Sequence, residues 1–162
     1  VSDALQQCPA PRLLFVNSVG GFGSPWWMDG PSPCWRDPGG AVISRPDKAS
    51  AIASLVESIL FLVMNNLSLL QEIIPGIRQI HISGGLSRQD LVCQKLANLA
   101  CLPVMRPNQH EATARGIAWL AAGKPASWVR SSAESFHPKN DDQLLQRYRD
   151  ATGLLKEMRC NN

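Results

Sequence analysis

The chain has 162 residues, of which 44% are hydrophobic, 18% charged and 6% aromatic, a globular profile that excludes disordered, collagen-like and coiled-coil chains. Sixteen Lys and Arg against thirteen Asp and Glu leave a formal net charge of +3, too balanced for a general polyanion surface, so nucleic acid is not an expected partner. A chain of about 150 residues buries roughly two-thirds of its unfolded surface, and one compact domain is expected.

Residues 1–11 carry neither a basic flank with an apolar run nor a small-residue cleavage site, so no secretory signal is expected. Residues 12–16, Arg-Leu-Leu-Phe-Val, lie between prolines and a glycine pair and read as a buried strand. Residues 20–38 are dense in Gly, Pro and Trp without periodicity, which predicts a long ordered loop. Such loops are uncommon and usually functional. Within it Gly21, Gly23, Trp26 and Trp27 could shape a pocket, since glycines admit a ligand to the backbone and indoles stack on sugar rings. The same tryptophans could equally anchor the loop to the core.

Residues 41–44 read as a short strand, and Asp47 as the N-cap of a helix running to about residue 70. Its face is expected to be Ile52, Leu55, Val56, Ile59, Leu60, Val63 and Leu67. The most apolar stretch, 59–64, follows Glu57 and ends at Asn65 and Asn66, so no membrane-spanning window is read and membrane insertion is not expected.

Residues 77–83 alternate apolar and polar and run as a strand into Gly84-Gly85, with a helix over 87–100 expected behind Ser87 as N-cap. A strand, a glycine pair and a helix N-terminus together make an anion or nucleotide loop. A Gly-Gly pair is also a common tight turn. Residues 103–105 read as a brief strand. Residues 111–122 read as a helix rich in small residues, suited to a hinge or to ordinary close packing, and stopped by Gly123 and Pro125. A polar connection over 124–140 and a closing amphipathic helix over 141–159 complete the chain. Arg147, Arg149, Lys156 and Arg159, among Asp150 and Glu157, are expected on a mixed solvated face that could also cover a domain or subunit interface. The alternation of strands and helices predicts an α/β domain, helices packed on a central sheet, with ligands beyond the carboxyl ends of the strands.

Cys8, Cys34, Cys93, Cys101 and Cys160 are odd in number and irregular in spacing, which predicts no disulfide framework and fits a reducing cytoplasm. Cys93 and Cys101 are expected to be buried, inert thiols, and His81, His110 and His137 no metal ligands, so no metal site is expected. Asp3, Asp29 and Asp37 are the only acids near the first loop, and capping or solvated roles suit them better than that of a base.

Three segments in order, Gly-x-Gly-Ser-Pro-Trp-Trp at 21–27, Ser-Gly-Gly-Leu-Ser-Arg at 83–88 and Glu-Ala-Thr-Ala-Arg-Gly-Ile-Ala at 111–118, resemble the C-terminal domain of the FGGY carbohydrate kinases, the family of glycerol, xylulose and gluconate kinases. The resemblance runs from about residue 13 to 123. It implies an actin-like, ribonuclease-H-like ATPase domain, one of two that close around ATP, Mg2+ and a sugar or polyol. By the same resemblance the Gly84-Gly85 turn lies near the nucleotide's α-phosphate and ribose and Ser87, Arg88 and Gln89 near its adenine, with Ser83 and Leu86 also in the nucleotide site. Glu111, Ala112, Ala114 and Gly116 belong to the interdomain hinge. Two departures stand out: Ser83 replaces the family's frequent Asp or Gly, and at 50–57 only Glu57, with Ser58 after it, keeps the family pattern.

The resemblance further implies an N-terminal kinase domain as partner, carrying the sugar site, the phosphate loops and the catalytic Asp upstream of this chain. On that expectation residues 1–162 are one part of a kinase, inactive alone, and a homodimer is among the expected assemblies. Two other readings remain: a non-catalytic nucleotide-binding or protein-interaction module on an actin-like half-fold, and a Trp-rich carbohydrate-binding domain without nucleotide.

Overall fold

The structure, a computed structural model, describes residues 1–109, 111–128 and 132–160, the last two without their side chains; His110 and the side chain of Arg159 lie outside that description. The chain forms two units, Val1–Gly76 with Asn140–Asn162, and Ile77–Lys139, where the sequence predicts a single domain. Each has its own three-stranded sheet and its own buried residues.

In the first unit α1 (Ser2–Gln7) precedes an antiparallel sheet of β1 (Leu14–Val16), β2 (Cys34–Arg36) and β3 (Val42–Ile43). β2 falls inside the segment expected to be all loop. Its signal was hidden because three residues between prolines show no alternation, and it is fixed by pairing Trp35 opposite Phe15. Their rings lie 4.8 Å apart and Trp35 Nε1 donates to the Ala51 carbonyl at 3.3 Å, so this tryptophan ties the sheet to α2.

α2 (Lys48–Ile73) starts as expected, with Asp47 Oδ1 accepting the Ser50 amide at 2.9 Å. Its buried face is Ala53, Val56, Leu60, Phe61, Met64 and Leu67, whereas Leu55 and Val63, placed in the core by periodicity, are exposed. The helix is apolar on most sides, so spacing alone does not choose the face. Glu57 does: it is 1% exposed and takes Arg147 of α5 (Asp142–Cys160) in a two-point ion pair at 2.8 and 2.9 Å. Arg147 therefore leaves the solvated face to which the sequence assigned it.

α2 also corrects the membrane reading. Over 26 residues it reaches a mean hydropathy of 1.7 in its most apolar window, long and apolar enough to span a bilayer. Half of that window is buried within the unit, and α2 packs against α1, β1 and α5, as a core helix does.

In the second unit β4 (Ile80–His81) pairs parallel with β5 (Val104–Pro107), and β5 pairs antiparallel with β6 (Ala133–Phe136). β6 lies in the stretch read as a polar connection, where Ala-Glu-Ser-Phe is too short and exposed to alternate visibly. α3 (Asp90–Ala100) packs on β5 and β6 through Val92, Cys93, Leu96, Ala97 and Leu99. α4 (Ala112–Ala121) has no buried residue.

Candidate functional site

The Gly84-Gly85 turn stands at the carboxyl end of β4. Gly84 has φ 93° and ψ −175°, a conformation open essentially to glycine alone. Gly85 is in ordinary backbone space, and a Cβ on either glycine would meet nothing within 4 Å. Ser83, Gly84, Gly85, Leu86 and Arg88 are exposed, and Gln89 is half-buried. The turn thus offers bare backbone to a ligand.

The local structure differs from a strand running directly into an α-helix. Residues Gly85–Arg88 form one 3-10 turn, and α3 begins only at Asp90, with Gln89 rather than Ser87 at its N-cap. Ser87 is fully buried. Its hydroxyl donates to the Gly84 carbonyl at 2.6 Å, and its amide reaches the same oxygen at 3.2 Å, so it closes the turn from within and does not face a ligand. The helix terminus expected at the glycine pair is displaced, and the turn's asset is access to backbone rather than a helix dipole.

Beneath the turn lies Arg106, on β5, which sequence reasoning passed over. Its Nη1 donates to the Ser87 carbonyl at 2.9 Å and lies 2.8 Å from Asp90 Oδ1, its Nη2 pairs with Glu134, and its guanidinium carbon sits 4.9 Å from the Phe136 ring centroid. The hydrogen bond to Glu134 raises its pKa above the usual arginine value, against the pull of burial, and Asp90 adds to the rise. A signal existed: a lone cation in a short strand, two residues after Val104 and so on the same side of the strand as that fully buried residue. Cys93 donates to the same Ser87 carbonyl at 3.3 Å, and burial pushes its thiol pKa up, keeping it neutral.

Of the hinge residues, Glu111 is joined to the turn, its Oε1 lying 3.7 Å from Arg88 Nη2 with both side chains largely exposed. Ala112, Ala114 and Gly116 are exposed on α4, and a Cβ on Gly116 would meet nothing within 4 Å, so these small residues make no close packing within the second unit. The helix flanks an open cleft lined by His81, Arg115, Gly116, Trp119, Lys124 and Trp128, with the Arg115 guanidinium 5.3 Å from the Trp128 ring centroid. His81 is exposed beside Gln79, 2.8 Å away, and His137 is exposed beside Ser135.

The pocket-loop residues belong to the first unit. Gly21, at φ 92°, is required by the close approach of the Met28 carbonyl, 2.9 Å from where a Cβ would stand. Phe22 and Met28 bridge the loop, the amides of Trp26 and Trp27 both reach the Gly23 carbonyl, and Trp26 meets Phe22 edge-on at 6.0 Å. Trp26 is thus an anchor, whereas Trp27 is 79% exposed at φ 50°, held outward by a tight turn. Gly23 has open space around it. Asp37 Oδ1 accepts the Ala41 amide, a turn-closing role, and Asp3 and Asp29 are exposed. Among the described residues Cys8, Cys34, Cys93 and Cys101 are free; Cys101 is exposed, not buried as expected, because it ends α3 in the left-handed conformation at φ 51°.

Among the described residues no group of His, Cys, Asp and Glu could hold a metal ion. Among the described residues the exposed side of the turn carries the Ser83 hydroxyl and the Arg88 guanidinium and no His, Cys, Asp or Glu from 83 to 89.

A family model described as the FGGY family of carbohydrate kinases, C-terminal domain, matches residues 2–123. The glycerol kinase of Herminiimonas arsenicoxydans is 29% identical over 145 residues, covering 83% of this chain and 28% of that protein. That of Ralstonia pickettii is 33% identical over 142 residues, covering 78% and 26%. The chain therefore spans less than a third of the curated relatives it matches. Among solved structures, Plasmodium falciparum glycerol kinase with ADP superposes with a TM-score of 0.73 at 18% identity, over 97% of this chain and 33% of that one. Xylulose kinase from Rhodospirillum rubrum gives 0.71 at 18%, over 98% and 33%. The fold is the actin-like ATPase fold of these kinases.

Proposed function

The chain belongs to the FGGY family of carbohydrate kinases, and from that premise we propose that residues 1–162 are the C-terminal, nucleotide-binding part of a kinase that transfers the γ-phosphoryl group of ATP to a sugar or polyol hydroxyl. The observation that carries this reading is Gly84, held at φ 93° and ψ −175° on an exposed turn inside the family-matched segment. Ser83, Gly84, Gly85 and Leu86 would receive ribose and α-phosphate on bare backbone, with Arg88 and Gln89 toward the base and Ser87 closing the turn from below.

Phosphoryl transfer asks a protein for positioning and charge stabilisation more than for covalent chemistry. This chain's share is positioning. An N-terminal kinase domain would supply the carboxylate that takes the hydroxyl proton, together with the sugar site. The exposed small residues of α4, Ala112 and Gly116 on one side and Ala114 on the other, suit it as a hinge on which the two domains move, with Glu111 linking it to Arg88. Magnesium, when bound with the nucleotide, would supply neutralisation of phosphate charge. The reading places the reaction in the cytoplasm.

The test is calorimetric titration of the chain with ATP and magnesium, beside a Gly84→Val, Gly85→Val variant shown by circular dichroism to be folded. Binding that the variant loses supports the assignment. Equal binding by both proteins overturns it.

A further inference from the structure

Arg106 is a side chain the family reading above leaves without a role, and its geometry is unlike that of a surface arginine. The side chain is 12% exposed and engages three acceptors on three elements: the Ser87 carbonyl of the 3-10 turn, Asp90 at the start of α3 and Glu134 on β6. Its two carboxylate partners are 75% and 53% exposed, so the cation is the buried member and the acids are drawn to it. With two carboxylates on one guanidinium, the cluster has no surplus positive charge with which to hold a phosphate.

We propose that Arg106 is the positioning residue of the nucleotide turn: by holding the Ser87 carbonyl from beneath, it fixes the Gly84–Ser87 backbone in the shape that receives nucleotide, without touching the ligand. This rests on the reading that the turn binds nucleotide. The physical argument is one of geometry. Gly84 lacks a Cβ and sits in a conformation its neighbours must impose, because glycine has the widest choice of alternatives. Inside the turn the constraint comes from Ser87, whose hydroxyl and amide both hold the Gly84 carbonyl. Outside it the constraint comes from whatever holds Ser87, which is Arg106 and, more weakly, the Cys93 thiol. A hydrogen bond to a charged donor is roughly twice as strong as a neutral one, and a planar guanidinium alone can serve three acceptors at fixed angles.

The experiment compares the wild-type chain with Arg106→Gln and Arg106→Lys by amide hydrogen exchange without ligand and by titration with Mg–ADP. Expected for Arg106→Gln is exchange at the turn amides faster by on the order of tenfold, the weight of one charge-assisted hydrogen bond, with α2 in the other unit unchanged, and Mg–ADP binding weaker by a similar factor. Lysine keeps the charge, but its compact ammonium lacks the planar fork that spans the three acceptors, so Arg106→Lys should fold and fall between the two. A merely structural role would lower the melting temperature without opening the turn selectively.

Turn exchange within twofold of wild type in a folded variant overturns the proposal, as does a loosened turn with undiminished affinity. Failure of the underlying reading shows separately, in the wild type alone, as Mg–ADP that protects no turn amide.

Discussion

Glu57 of α2 and Arg147 of α5 form a two-point ion pair at 2.8 and 2.9 Å across 90 residues of sequence, and the carboxylate is all but sealed from solvent. Burial pulls the Arg147 pKa down, but the hydrogen bond and charge of Glu57 outweigh it and leave the guanidinium more basic than usual. The pair joins the family-matched segment to a helix beyond it.

Breaking this pair takes the guanidinium away from a buried carboxylate, and losing one member of a buried pair costs about 3–5 kcal/mol. Arg147→Ala should therefore lower the unfolding free energy by about that much in urea denaturation, whereas Arg149→Ala, at an exposed position two residues on, should change it little. Equal effects from the two would mean that the pair contributes nothing particular.

The two glycines of the turn should separate stability from binding. Gly84→Ala forces a side chain into glycine-only backbone space and should cost about 1–3 kcal/mol. Gly85→Ala meets open space in an ordinary conformation and should be neutral or stabilising by up to about 1 kcal/mol. Both should weaken nucleotide binding, the first by distorting the turn and the second by filling the approach. Thermal melts and Mg–ADP titrations of the two variants check this together.

Asp47 predicts an acid-side effect. Its pKa lies below the usual carboxylate range because the Ser50 side chain, and then the Ser50 amide, hydrogen-bond its ionised form. A depressed folded value means stability present above the unfolded pKa of about 4 and lost as the pH falls through the folded value. Asp47→Asn keeps a capping side chain but does not titrate, so its melting temperature should fall less than the wild type's between pH 5 and pH 2, by roughly the share one carboxylate carries.

Thiol chemistry should rank by burial. Cys101 is exposed, whereas Cys93 is fully buried with its pKa pushed up by desolvation. Alkylation at neutral pH followed by peptide mapping should modify Cys101 first and Cys93 only after unfolding; early modification of Cys93 would show that α3 opens readily.

What could be read in advance was what local chemistry dictates. Asp47 capped its helix because a carboxylate three residues before a free amide has one obvious use, and the Gly84-Gly85 turn fell where a strand pattern broke into residues without Cβ. What was missed was set by partners distant in sequence. β2 and β6 are strands only because β1 and β5 pair with them, and α2 buries Ala53, Phe61 and Met64 beside the expected Val56, Leu60 and Leu67, the side on which Arg147 meets Glu57. Ser87 looked like a helix cap by spacing, yet the 3-10 turn placed it beneath the glycines. Arg106 was legible only as an oddity, a lone cation in a short strand whose three acceptors lie up to 28 residues away.

Nucleotide seated on the Gly84–Gln89 turn would be read residue by residue in a nitrogen-15 chemical-shift titration of the chain with Mg–ADP. The account predicts that the amides of residues 84–89 shift together and saturate with a single dissociation constant, Arg88 and Gln89 responding to the base and Gly84 and Gly85 to the phosphate. Shifts confined to the first unit, or none at the turn up to several millimolar nucleotide, would contradict it.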